Sequence, residues 1–136
     1  MTKLLSTLAV GLLATSAMAQ ACFEAVGSPI GIFADSISAP QPIGFAFPFA
    51  GSTYNEISIS DHGICWLADN GVPAPPLASG LLYSPLAADL ALNGPVLCPF
   101  WTDTVPGAIG DVYVGGTATQ YTITWQDMIN FGGTQT

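Results

Sequence analysis

Positively charged side chains are almost absent from this sequence. Its 136 residues include one lysine, Lys3, and no arginine, against nine aspartates and glutamates, so the formal net charge is −8. Proteins bind phosphate groups chiefly through Lys and Arg, which makes this chain a poor partner for nucleic acids and for anionic membrane surfaces. The same lack excludes a P-loop, a Schiff-base lysine and an arginine clamp for carboxylates.

The single lysine belongs to an N-terminal stretch that has the three parts of a signal peptide. A positive start that ends at Lys3 is followed by an apolar run over residues 4–14, and small residues precede a cleavage site after Ala19. We therefore predict that residues 1–19 are a signal peptide and that the mature chain is secreted. Cys22 lies just beyond this site, and the alternative is a lipoprotein anchored at the cell surface through that residue. No other segment has the length of a membrane span, so no transmembrane segment is expected in the mature chain.

Cysteines are few and odd in number. Of the three, Cys65 and Cys98 lie in apolar, strand-like runs, whereas Cys22 lies near the predicted start of the mature chain. Because an exported protein meets oxidising conditions, we predict a disulfide between Cys65 and Cys98. The alternative is three reduced thiols that pack as small hydrophobic side chains.

Hydrophobic residues alternate with small or polar ones along most of the remaining chain. The alternation is clearest in residues 41–49 (QPIGFAFPF), where prolines indicate an edge strand, and in residues 119–126 (TQYTITWQ). Many short strands separated by Gly, Pro, Asn and Asp are typical of sandwiches and barrels. We predict an all-β fold, a mostly antiparallel β-sandwich over residues 41–136, with residues 20–40 as an N-terminal segment.

Two regions depart from this alternation. Residues 72–93 are rich in Pro, Ala and Leu and are interpreted as a long connection, and residues 106–110 are interpreted as a loop. The strand over residues 119–126 is followed by turn residues and then by the end of the sequence. Because native proteins normally cover an apolar edge, we expect the sandwich to be truncated, incomplete at its C-terminus.

The chain contains three stretches that resemble the nidogen-like (NIDO-type) extracellular β module: GFAFPFAGSTYNEISISDHGICWL, PVLCPFWTDTVPGAIGDVYV and QYTITWQDMINFGG. Together the stretches cover about residues 42–133. The resemblance implies an antiparallel β-sandwich and a matrix-like or adhesive role in secreted bacterial surface proteins, without catalysis. It also implies further strands after the last stretch, in agreement with the expected truncation. The matched positions are architectural, so no functional residue is carried over.

His62 is the only histidine and follows Asp61 directly. Such a pair is compatible with a general base in a secreted hydrolase. However, His62 also precedes Gly63 at a predicted hairpin turn, and histidine tolerates a positive φ better than most residues. Neither a GxSxG elbow nor a recognisable catalytic cysteine accompanies it. We therefore interpret His62 as a turn residue.

Tryptophans and aspartates supply the remaining candidate sites. Three tryptophans could form a platform for sugar rings, but their alternating positions favour the core: Trp66, Trp101 and Trp125. Five aspartates lie at predicted strand ends or loops with no cation to pair with: Asp61, Asp69, Asp89, Asp103 and Asp111. Asp103 and Asp111 flank the predicted loop at residues 106–110 and are weak candidate ligands for Ca²⁺. The alternatives are solvated aspartates that close turns and a glycosidase-like carboxylate pair.

Three functions are consistent with these features. The leading hypothesis is a non-catalytic extracellular or cell-surface module for structure or adhesion, with a protein or a matrix or glycan partner and no required cofactor. The second is a carbohydrate- or calcium-binding module that uses the loop aspartates. The third is a secreted hydrolase with paired carboxylates.

Overall fold

The computed structural model describes residues 25–69 and 94–131. The predicted signal peptide, Cys22 and the whole of the predicted connection over residues 72–93 lie outside the described residues. Within these two ranges the chain forms strands and no helix, and therefore contains no helix that could cross a membrane. The strands are β1 (Ser28–Pro29), β2 (Gln41–Phe49), β3 (Ser52–Ile59), β4 (Cys65–Ala68), β5 (Val96–Leu97), β6 (Thr104–Gly116) and β7 (Tyr121–Asn130).

These strands form two antiparallel sheets, one with the order β2-β3-β4-β5 and one with the order β1-β6-β7. Side chains from both sheets meet in one apolar core, which includes Ile43, Ile57 and Ile59 from the first sheet and Val112 from the second. The predicted all-β antiparallel sandwich is confirmed.

Strand β2 shows how the local sequence determines burial. Its apolar side chains alternate with exposed positions, so that Ile43, Phe45, Phe47 and Phe49 face the core. The ring centroids of Phe47 and Phe49 are 6.4 Å apart, and these rings are stacked. β2 pairs with β3 and with no other strand among the described residues, as its prolines predicted.

The second sheet differs from the sequence-based expectation at residues 106–110, which belong to β6 and are not a loop. The pairing of β6 with β7 shifts register between Pro106 and Asp111, which marks a β-bulge. Gly107 and Gly110 lie so close to β7 that a Cβ atom on either would come within 2.7 or 2.5 Å of the carbonyl oxygen of Asp127. The prediction was wrong because a bulge and a loop use the same residues, proline and glycine.

The described part of the N-terminal segment contributes directly to the sandwich. β1 pairs with β6, and Ile32 is buried in the core. Ile37 forms an isolated antiparallel bridge with Ser60. Residues 28–37 therefore act as part of the same packed unit as the strands that follow.

Cys65 and Cys98 are both free thiols in this structure, so the predicted disulfide is not formed in it and stays a prediction. Cys65 is paired in the sheet with Leu97, the residue before Cys98. Burial, with a smaller contribution from Cys98, raises the pKa of Cys65 to about 12, and burial also raises the pKa of Cys98. Both groups are protonated at neutral pH and are therefore weak nucleophiles.

The β3–β4 hairpin ends in a turn that is completely buried. We call Ser60–Ile64 the buried turn; its ends are joined by a hydrogen bond of 2.8 Å from the backbone N–H of Ser60 to the carbonyl oxygen of Ile64. Gly63 has a φ of +78°, and a Cβ there would lie 2.5 Å from the ring and the carbonyl oxygen of Phe100. Glycine is required at this position both for its conformation and for its lack of a side chain.

We expect Gly63→Ala to destabilise the fold by about 3 kcal/mol, because it adds a steric clash to the cost of a positive φ. Gly51 provides a matched control, since its φ is +81° and a Cβ added there would meet nothing within 4 Å. Gly51→Ala should therefore cost only about 1 kcal/mol. Urea unfolding of both variants measures the difference, and equal losses would show that Phe100 does not restrict Gly63.

Candidate functional site

Three buried polar residues cluster in the turn at one end of the sandwich. Ser60, Asp61 and His62 are each 0% exposed. Turns normally lie at the surface because their backbone groups need water. Here the polar groups find partners in two other segments, residues 35–36 and residues 102–104. The predicted Asp61–His62 pair is thus a junction between three segments.

The carboxylate of Asp61 accepts hydrogen bonds from the segment that precedes β2. The backbone N–H of Asp35 donates to Oδ2 at 2.9 Å, and the backbone N–H of Ser36 donates to Oδ1 at 3.3 Å. The hydroxyl of Ser60 lies 3.4 Å from Oδ1. The backbone carbonyl of Asp61 accepts a hydrogen bond of 2.7 Å from the hydroxyl of Thr104. Asp61 therefore links the buried turn to both neighbouring segments.

The hydrogen-bond partners of His62 indicate one tautomer of its neutral imidazole. The backbone N–H of Thr104 donates to Nδ1 at 3.1 Å, so Nδ1 must offer a lone pair. The proton of the neutral ring then lies on Nε2, which is 3.2 Å from Oδ1 of Asp35 and 3.7 Å from Oδ1 of Asp61. His62 thus donates to Asp35 and accepts from Thr104.

His62 does lie in a turn, as predicted, but the positive φ expected for it is wrong. The positive φ belongs to Gly63, and His62 does not have one. What determines the residue at position 62 is burial between Asp35 and Thr104, which lie 27 and 42 residues away in the sequence. A single sequence carries no local signal for such distant partners.

Asp103 joins the same cluster from the other side. One potential ligand atom each from Asp35, His62 and Asp103 lie within 4.8 Å of one another. A metal would bind to a lone pair on the imidazole, but Nδ1 accepts a backbone N–H and Nε2 carries the proton. Without His62 the cluster offers the two carboxylates of Asp35 and Asp103, whereas Ca²⁺ takes six to eight oxygen ligands. The cluster as folded is better suited to hydrogen bonding than to metal binding.

Asp111 lies elsewhere and holds the N-terminal segment against β6. Its Oδ2 accepts the backbone N–H of Gly31 at 3.0 Å, and its Oδ1 accepts those of Ile32 at 3.0 Å and Val112 at 2.7 Å. Asp111 is not part of the potential metal cluster that contains Asp103. Asp111 is thus occupied by backbone groups, and calcium binding by Asp103 and Asp111 stays a prediction.

The tryptophans lie mainly where the alternation predicted. Trp66 is buried, and Trp125 is partly buried against the core. The indole N–H of Trp125 donates to the carbonyl oxygen of Ser60 at 2.8 Å, which ties β7 to the buried turn. The ring of Trp125 also meets that of Phe100 edge to face, with centroids 5.1 Å apart. Trp101 is half-buried.

Burial raises the pKa of the Asp61 carboxyl above its ordinary value of 3.8, although His62 and the backbone N–H groups of Asp35 and Ser36 act in the opposite direction. The folded protein therefore holds this proton more tightly than the unfolded chain does. We expect the contribution of Asp61 to stability to increase as the pH falls from its raised pKa towards 3.8, and to be lost as the pH rises again.

The carboxyl ¹³C resonance of Asp61, followed by NMR during an acid titration, measures this pKa directly. A midpoint above 3.8 is expected, and a midpoint below it would show that the donated hydrogen bonds outweigh burial. Urea unfolding at several pH values, with Asp61→Asn as the non-titrating comparison, measures the linked change in stability.

We expect His62→Ala to reduce the free energy of unfolding by about 3–5 kcal/mol, because it leaves a cavity and removes the partner of the buried Thr104 N–H. Gln120 is exposed, and Gln120→Ala should change stability by no more than about 0.5 kcal/mol. Chemical unfolding of both variants tests the role of His62. An unchanged stability of His62→Ala would argue that the imidazole is not a structural group.

Comparison with known proteins identifies a family. Residues 16–135 match the family described as NIDO related. No curated protein and no solved structure matches the chain. The match covers most of the sequence and includes all the strands described above. The family indicates an extracellular module, and the chain belongs to the NIDO-related family.

Proposed function

We propose that this chain is a non-catalytic extracellular module for structure or adhesion in a secreted bacterial surface protein. The observation that carries the proposal is the burial of the Asp61–His62 pair, which the sequence offered as a possible general base and its partner. Both side chains are 0% exposed, and their polar groups are engaged within the fold.

The hydrogen bonds of the buried turn do not favour general-base catalysis. A general base must reach the proton that it removes from a substrate or nucleophile. Nδ1 of His62 instead receives a backbone N–H, and Nε2 faces the carboxylate of Asp35. The two nearby hydroxyls are also engaged: Thr104 donates to the carbonyl oxygen of Asp61, and Ser60 accepts the backbone N–H of His62. This pattern supports a structural role for the cluster.

Exposed apolar side chains support contact with a partner. Phe33, Ile109 and Phe131 are 77%, 76% and 73% exposed, and Val26 is half exposed. Large apolar groups of this kind are common at binding surfaces, although single ones also occur elsewhere. The acidity of the chain argues against a nucleic acid, so the proposed partner is a protein or a matrix or glycan component at the cell surface.

The proposal includes a route to the outside of the cell. A signal peptide over residues 1–19 would deliver the chain through cleavage after Ala19, and lipid attachment at Cys22 is the alternative means of anchoring. Either mode presents the sandwich outside the cell, as the family indicates.

Carbohydrate binding is the second candidate function, favoured by a polar cleft beside Trp125. Calcium binding has less support, because the carboxylate of Asp111 already accepts the backbone N–H groups of Gly31 and Ile32. A hydrolase that uses His62 as its base has the least support, because both nitrogens of His62 are engaged inside the fold.

Deletion of residues 25–131 from the complete protein in its native bacterium tests the adhesive role. We expect the deletion to reduce attachment of the cells to surfaces coated with extracellular matrix or glycan, at an equal amount of exported protein. The exposed-site variant Gln120→Ala should attach as the wild type does. Unchanged attachment after the deletion would overturn the adhesive role, and release of cleaved coating by the purified protein would overturn the non-catalytic one.

A further inference from the structure

A polar cleft of about 360 Å³ lies beside the buried turn, between the end of β7 and the segment that leads into β6. Its volume falls at the lower end of the range of small-molecule sites, about 300–1,000 Å³. It combines aromatic with polar lining, and its lining residues are Phe100, Thr102, Thr104, Trp125, Asp127, Met128 and Asn130. The sequence analysis considered only one of these residues, Trp125, as a ligand-binding group. It then favoured a place for Trp125 in the core.

The aromatic part of the cleft is held rigidly. Trp125 is fixed by its hydrogen bond of 2.8 Å to the carbonyl oxygen of Ser60. Phe100 packs edge to face against Trp125, with 78° between the ring planes, and contacts the turn at Gly63. Rings fixed in this way lose little conformational freedom when a ligand packs against them.

The polar part of the cleft depends on an irregularity in β7. In a regular strand, successive side chains point to opposite faces, yet Asp127 and Met128 both line the cleft. The change occurs at Asp127, whose φ of +52° lies in the left-handed region. The bulge in β6 makes room for it, because Gly107 and Gly110 let the Asp127 carbonyl approach closely. Bulges near binding sites often redirect a side chain in this manner.

Asp127, which lines the cleft, carries a carboxylate. Its hydrogen bond from the side-chain amide of Gln126, which donates to Oδ2, is long at 3.4 Å. The chain has no Lys or Arg beyond Lys3 that could pair with it. Thr102, which is exposed, and Asn130, which is half-buried, add a hydroxyl and an amide to the same wall.

From these features we propose that this cleft binds a neutral sugar ring. The C–H face of a sugar packs against aromatic rings, while its paired hydroxyls donate to a carboxylate and exchange hydrogen bonds with amide and hydroxyl groups. The acidity of the chain disfavours sulfated or carboxylated sugars. The proposal rests on the adhesive function proposed above and identifies its partner as a neutral glycan.

Titration of the full-length protein with neutral tetrasaccharides tests the proposal. The probes are β-1,4-linked glucose, β-1,4-linked N-acetylglucosamine and mannose tetrasaccharides, with a sulfated heparin tetrasaccharide as the charged comparison. Quenching of tryptophan fluorescence should report saturable binding of a neutral probe, since Trp125 lines the cleft. The side-chain amide of Asn130 should shift in NMR spectra at the same concentrations.

Asp127→Asn is the variant that isolates the carboxylate. Asparagine tolerates a positive φ, so the backbone is expected to keep its conformation. Loss of the charged acceptor should weaken binding at least about tenfold, because charge-assisted hydrogen bonds are the stronger ones. Asp69→Asn is the control: it removes the same charge from the exposed residue that follows β4, at the end of that strand away from the buried turn.

The outcomes separate this inference from the adhesive function. No binding of any neutral probe, preferential binding of the sulfated probe, or equal binding by Asp127→Asn would each overturn the sugar site. If the sugar site fails while deletion of residues 25–131 still abolishes attachment, adhesion stands and proceeds through another surface. If Asp127→Asn weakens both sugar binding and attachment while Asp69→Asn weakens neither, both proposals are supported.

Discussion

The hydrogen bond from the backbone N–H of Thr104 to the buried imidazole of His62 determines how the segments at one end of this sandwich are joined. The bond from Thr104 to Nδ1 of His62 fixes the ring as a donor at Nε2 and so directs it to Asp35. Through these two bonds the β3–β4 turn is connected to the segment before β2 and to the start of β6. A polar turn can be buried only if its groups are paired in this way, since an unpaired buried donor or acceptor costs about 1–3 kcal/mol.

The same junction positions the groups around it. Because the buried turn is fixed, its Ser60 carbonyl can hold the indole of Trp125, and Gly63 can accept the ring of Phe100. These two aromatic residues then form one wall of the neighbouring cleft. The buried turn, whose residues most resemble a catalytic site, therefore has a supporting role. The proposed sugar-binding groups lie beside it, in β7 and in the segment before β6.

Local patterns predicted much of the fold, and distant contacts account for most of what they missed. The alternation in β2 was sufficient to assign the faces of Ile43 and Phe45, because burial there depends only on side-chain direction. Proline and glycine near Pro106 indicated an interruption but could not distinguish a bulge from a loop. The role of His62 depends on Asp35 and Thr104, whose contacts no pattern within a few residues of position 62 can reveal.

The carboxylate of Asp111 binds backbone groups of a segment that is synthesised much earlier. Its partners, Gly31 and Ile32, precede it by 80 and 79 residues. A chain is synthesised from its N-terminus, so β1 and Ile32 have neither a strand nor a carboxylate to bind until β6 has been made. Contacts of such long range also slow folding. The segment that contains β1 therefore stays unpaired until most of the described chain has been made.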